Sequence, residues 1–301
     1  MRSMIRAGRR WAAWFDAPAP ALRLARFRML VFTFACAYLV IRVRVFAALG
    51  DDGGARWEPV GVLWWSTGAP PVALVRVVLA VTVAGAALAA AGVWYRISGP
   101  LAAVGMLLLT TIRSSTGQLL WFENLVVLHL LIVGCSPAAD AAAWRTRCAV
   151  RLAVPDTSWR YGRPLRLACV VTALTYALAG VAKLRHGGIG WLDGESLRRH
   201  VAFSATRLEV LGGTPSPLAA PLLDIGWVFG PLAVVTLLLE LGAPLVLLHR
   251  RFVVPWVAGV WLMHASIAAT MAVVFPYPLV LVAFAPFFRL ERSRGLTDHA
   301  Q

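Results

Sequence analysis

Lysine and asparagine are almost absent from this 301-residue chain. Lys183 is the only lysine and Asn124 the only asparagine, beside 28 arginines. Charged residues of either sign are scarce at 14%, against roughly 25% in soluble domains. Cysteine is limited to Cys36, Cys135, Cys148 and Cys169, with no CxxC pair. That argues against a disulfide framework and against a cysteine-based zinc site. No P-loop, GxGxxG or GxSxG pattern stands in a suitable context, which removes the common phosphate-binding and nucleophile-elbow classes. No two histidines have metal-ligand spacing with a carboxylate, so no metal is expected. Internal repeats and low-complexity tails are missing too.

What the chain has is apolar sequence. Hydrophobic residues make up 59%, above the 45–50% or so of soluble domains, and mean hydropathy is +0.73. The expected class is all-α: a polytopic membrane helical bundle. The net charge of +15 does not point to nucleic acid, because the arginines gather in loops and at the N-terminus, where they orient spans and meet anionic lipid. No cleavable signal peptide is expected, since the first long apolar run begins near Met29 behind many arginines.

A span needs about 20 apolar residues. About eight spans are expected: 25–43, 72–93, 97–112, 119–135, 164–183, 229–248, 253–274 and a short last one, 277–290. Residues 1–24 form a basic N-terminal segment, 25–290 the membrane domain and 291–301 a tail. With both ends cytoplasmic, 19 of the 28 arginines fall on the inner side, as the positive-inside rule asks. Two outer connections are long. Residues 44–71 carry Trp57, Trp64 and Trp65, suited to the headgroup layer. Residues 184–228 begin directly after Lys183, and a short amphipathic helix is expected there over about 196–208. An inner connection, 136–163, with Trp144, Arg147, Arg151 and Leu152, reads as a basic interfacial segment.

Polar residues at membrane depth are costly and by default mark function. They are Glu123, Asn124, His129, Tyr176, Lys183, Glu240 and His264. Tyr176 and Lys183, seven residues apart, share a helix face. Gly180 between them leaves room for a neighbour. Lysine, unlike arginine, can give up its proton when buried and act as a base. Position alone also allows a snorkelling anchor. Glu240 is open between pairing with an arginine or capping a neighbouring helix, and a functional role. His129 reads as a hydrogen-bonded packing histidine, and His264 as that or a cofactor contact.

These residues resemble a known family. Leu24-Ala-Arg-Phe-Arg-Met-Leu30, Tyr176-Ala-Leu-Ala-Gly-Val-Ala-Lys-Leu184, Trp191-Leu-Asp-Gly194, Glu240-Leu-Gly-Ala-Pro-Leu245, and His264 with Phe275-Pro-Tyr277 are similar to blocks of the HTTM (horizontally transferred transmembrane) domain family. That family is related to the vitamin K-dependent gamma-glutamyl carboxylase. The resemblance implies a multi-pass protein of the bacterial plasma membrane. It implies Lys183 as the base that starts oxygenation of a reduced quinone (menaquinol or vitamin K-like), with O2 and CO2 as co-reactants. Tyr176 and Asn124 would join Lys183 in catalysis. His264, Glu240, Trp191, Arg199 and His200 would contact quinone or substrate. The substrate would be a small acid or a secreted peptide.

Two departures from the family pattern stand out. Leu125 replaces the histidine that follows the carboxylase's asparagine, and no large outer domain follows Phe288. Both count against carboxylation of a propeptide-bearing substrate. The alternative is a non-carboxylating factor for maturation or export of a secreted peptide, of the sporulation-delaying protein B type. A transporter ranks last: the polar residues cluster toward one side and no inverted repeat is seen.

Overall fold

The computed structural model describes residues 11–51, 54–117, 119, 121–143 and 156–291. The basic interfacial stretch expected around Trp144, Arg147, Arg151 and Leu152 lies outside these residues, as do Arg2 to Arg10 and the tail beyond Glu291. The described residues are 73% helical. Among the described residues five helices are long and apolar enough to cross a membrane: Ala21–Ile41, Val72–Ala91, Tyr95–Ser114, Trp159–Trp191 (including the turn that follows it) and Arg250–Met271. Two apolar helices, Asn124–Gly134 and Gly226–Leu241, are shorter. One two-residue antiparallel pair, β1 (Ala19–Pro20) with β2 (Thr157–Ser158), is the strand structure among the described residues.

The helices are numbered α1 (Ala21–Ile41), α2 (Val43–Ala47), α3 (Val72–Ala91), α4 (Tyr95–Ser114), α5 (Asn124–Gly134), α6 (Trp159–Gly187), α7 (Glu195–Val210), α8 (Ala219–Asp224), α9 (Phe229–Leu241), α10 (Leu245–Leu248), α11 (Val253–Met271) and α12 (Pro276–Leu279). Where they differ from the expected spans, the cause is local. The sixth segment, 229–248, breaks into α9 and α10 at Gly242-Ala-Pro244, because proline removes a backbone donor and disfavours helix in the residue before it. The eighth, 277–290, is only the four-residue α12 and a 3-10 turn, Val282–Phe287. Pro278 and Pro286 prevent a continuous ladder. α3 ends where Gly92 takes φ +74 and Val93 N–H returns to Leu88 O at 2.9 Å, a glycine cap.

Two compact units emerge. The first holds residues 1–168 and 285–301, the second 169–284. In the first, α4 and α5 approach with no side chain between them: a Cβ on Gly134 would stand 2.9 Å from Gly99 O. Such small-residue contacts let helices pack closely in lipid. Arg28 of α1 is fully buried. It donates to the carbonyls of Ala138 (3.0 Å), Ala142 (2.9 Å) and Ala90 (3.3 Å) and stacks over the Tyr95 ring at 5.6 Å. A cation on Ala90 O, in the last turn of α3, meets the negative end of that helix.

In the second unit, α7, α8 and α9 share a core of Val201, Ala219 and Phe229, joined by Leu197, Ala205 and Met271. Leu197, Val201 and Ala205 repeat every four residues, one stripe of α7. Gly194 turns the chain into α7 at φ +83, and a Cβ there would lie 2.2 Å from the backbone of Phe229. Gly194→Ala therefore combines a left-handed backbone with a clash that no rotamer relieves. The cost is about 1–3 kcal/mol, and the thermal midpoint of the purified protein should fall by several degrees. An unchanged midpoint would refute this packing.

Candidate functional site

α6 supplies the centre of the site. Gly180 lets α9 come close: a Cβ at 180 would sit 3.0 Å from Glu240 Cβ and 2.9 Å from Leu241 Cδ2. One turn on, Lys183 Nζ donates to both oxygens of Glu240, at 2.5 and 2.7 Å. The Glu240 side chain is 5% exposed and that of Lys183 23%. Charges this far out of water persist only when paired. The partner of Glu240 is thus a lysine, in place of the arginine considered from sequence.

Two turns earlier on the same helix face, Tyr176 hydroxyl and His264 Nε2 are 2.9 Å apart. Tyr176 packs edge-on against Trp256 and stacks with Phe284, while His264 lies 4.8 Å from the Phe275 ring. His264 is 6% exposed, and its Nδ1 has no hydrogen-bond partner among the described residues. The shared face expected for Tyr176 and Lys183 therefore carries two polar pairs, one to α11 and one to α9.

Beyond α6 the chain makes a 3-10 turn, Gly188–Trp191. Trp191 drops its ring onto Ala233 and Leu237 of α9 and is buried. Lys183 Nζ stands 5.6 Å from the Trp191 ring centre, a cation–π contact, and His200 faces the same indole at 6.0 Å. Asp193 Oδ1 accepts the Glu195 N–H at 2.8 Å, which starts α7 as a side-chain cap does. The Trp191-Leu-Asp-Gly194 block thus folds as a tight corner that delivers α7 beside the end of α6. A cavity of about 310 Å³ opens there, lined by Lys183, His186, Trp191, Ser196, Arg199 and His200.

Of the residues singled out by sequence, Lys183, Glu240, Trp191, Arg199 and His200 come together around this corner, and Tyr176 with His264 forms the second pair. Asn124 belongs to the other compact unit. It is exposed at the start of α5 and lines a separate cavity of about 740 Å³ with Thr111, Ser114 and apolar walls such as Leu107 and Val127. His129 is fully buried with Nε2 at 3.3 Å from Ala168 O, a packing histidine.

Sequence reasoning missed the partners of Glu123. Tyr38 hydroxyl donates to its Oε1, and Arg113 Nη1 pairs with the same oxygen. Arg42 stacks over the Tyr38 ring at 5.1 Å. It also missed His186 and Ser196 as cavity residues. An acid and an arginine ten positions apart, both flanking apolar runs, were the available signal for the first. Nothing in the local sequence marks the second. Comparison with protein-family models, curated proteins and solved structures finds no match.

Proposed function

We propose that this chain is an integral membrane enzyme of the HTTM type in which Lys183 is the base and Glu240 its proton partner. The observation that carries the reading is the placement of the only lysine with both Glu240 oxygens at 2.5 and 2.7 Å. Passing one proton from ammonium to carboxylate leaves the pair's net charge at zero and yields a neutral amine beside a neutral acid. That amine can accept a proton from an acidic hydroxyl of a substrate entering the adjacent cavity. Glu240 then gives its proton to the departing product, which restores the ammonium–carboxylate pair. Trp191 and the packed corner keep water from one side of the amine, which strengthens both steps.

A reduced quinone would supply the electrons for oxygen chemistry at such a site. The residues fit one in one respect: His264 Nδ1 is buried without a partner among the described residues and the imidazole lies next to an aromatic ring, so His264 would hold a hydroxyl or carbonyl while Tyr176 fixes the imidazole's orientation. CO2 addition to a small acid or peptide is the downstream possibility that Leu125 counts against. A second reading, maturation of a secreted peptide without chemistry at Lys183, draws on exposed Ile189, Phe203, Val210, Leu211 and Trp227, apolar area a peptide could cover.

The test is oxygen-dependent epoxidation of menaquinol by the purified chain in detergent micelles. Epoxide formation that needs both O2 and intact protein is expected. If none is formed with menaquinol or a vitamin K hydroquinone, the base reading is lost and peptide maturation stands.

A further inference from the structure

The cavity beside Lys183 has a one-sided chemistry. Lys183 and His186 come from the end of α6, and Ser196, Arg199 and His200 from the start of α7, with the Trp191 ring as an apolar wall. Every one of those polar side chains carries a hydrogen-bond donor, and among the described residues no carboxylate lines the cavity. The donors are not exhausted by contacts within the protein. Lys183 spends two of its three N–H groups on Glu240. Arg199 spends Nε on Glu195 at 3.1 Å, and its two terminal nitrogens remain.

The charge count points the same way. Lys183 and Glu240 cancel. Glu195 is shared by Arg198 (3.9 Å) and Arg199 (3.1 Å), and with Asp193 before α7 and Arg185 near the end of α6 this corner keeps one excess positive charge before either histidine is counted. A donor-rich concavity with excess positive charge attracts an anion.

The number and spread of donors narrow the anion. A carboxylate has two coplanar oxygens and is satisfied by one arginine fork. Five donor side chains arriving from two helices suit a tetrahedral group with three oxygens free. We propose that this cavity binds a phosphoryl oxyanion, with Arg199, His200, His186 and Ser196 as its donors and Lys183 as the least exposed cation behind them. The phosphoryl group is that of a lipid headgroup or of a soluble phosphate ester. The inference rests on the reading of Lys183 as the working amine: the phosphoryl group is the handle that seats the second substrate, the one other than the quinol, next to it.

The full chain, purified in neutral detergent, is titrated calorimetrically with glycerol 3-phosphate, with short-chain (dihexanoyl) phosphatidic acid, and with acetate as the carboxylate control. Binding of at least one phosphoryl probe, at least tenfold tighter than acetate, is expected. The variant Arg199→Gln with His200→Gln should weaken it at least tenfold while eluting as a single species. Ser196→Ala, expected to weaken it about threefold, carries the test should the double variant fail to fold. Binding of the lipid alone identifies a headgroup site, and binding of both probes a phosphate-ester site. The proposal is overturned if neither probe binds, if acetate binds as well, or if the variants bind like the wild type. Lys183→Arg keeps the charge and should change phosphoryl affinity only a few-fold. Loss of the base reading through an active Lys183→Arg variant is thereby distinguishable from loss of the phosphoryl site.

Discussion

Lys183→Arg abolishes turnover while the protein stays folded. The guanidinium keeps the positive charge opposite Glu240, so the buried carboxylate remains paired. It cannot, however, give up its proton in a protein. General-base contributions are typically about 10²–10⁴-fold, and a loss of at least about a hundredfold is expected in menaquinol-dependent oxygen consumption. The measurement is turnover beside a thermal midpoint for the same preparation. An arginine variant with undiminished turnover excludes proton abstraction by this side chain, whatever the fate of the cavity.

Lys183→Ala acts differently. The resemblance alone suggests a silent fold and a dead site. The geometry instead leaves Glu240, 5% exposed, as an unpaired acid against α6. Removing one partner of a buried pair costs about 3–5 kcal/mol, and replacing both by apolar groups is often neutral. The 23% exposure of the Lys183 side chain puts the expected loss at the low end, about 3 kcal/mol. Lys183→Met combined with Glu240→Leu should recover most of it, to within about 1 kcal/mol of the wild type. Denaturation of the wild type, Lys183→Met, Glu240→Leu and the double variant in micelles gives the coupling directly. If Lys183→Ala unfolds at the wild-type midpoint, the pair contributes nothing and water reaches Glu240 freely.

Hydropathy made the helical class legible, and the five long apolar helices follow the runs seen in the sequence to within a few residues at most ends. The last segment was harder. An apolar stretch of fourteen residues looks like a short span by composition, but Pro278 and Pro286 leave it in separate turns. Composition reports affinity for lipid, whereas helix continuity depends on where backbone donors are missing. The site shows the same division. Periodicity along α6 placed Tyr176 and Lys183 on one face, since seven residues are close to two turns. It could not show that Glu240 meets Lys183 or that His264 meets Tyr176, because those contacts join helices 57 and 88 positions away. Nor could it show that Asn124, the other singular residue, falls in the other unit. Scarcity in composition signals a special environment without saying which one.

The empty side-chain position at Gly180 sets how far a proton has to travel. Because the two helices meet there backbone to side-chain root, the gap between amine and acid is governed by the rigid axes of α6 and α9, with little left to the wandering of a flexible lysine stem. Such a gap behaves like a caliper: a small slide of one rod along the other would open it and stop the exchange. A methyl group inserted at that crossing would reset the spacing without altering either charged residue, uncoupling acidity from position in a way that no substitution of the charged partners can.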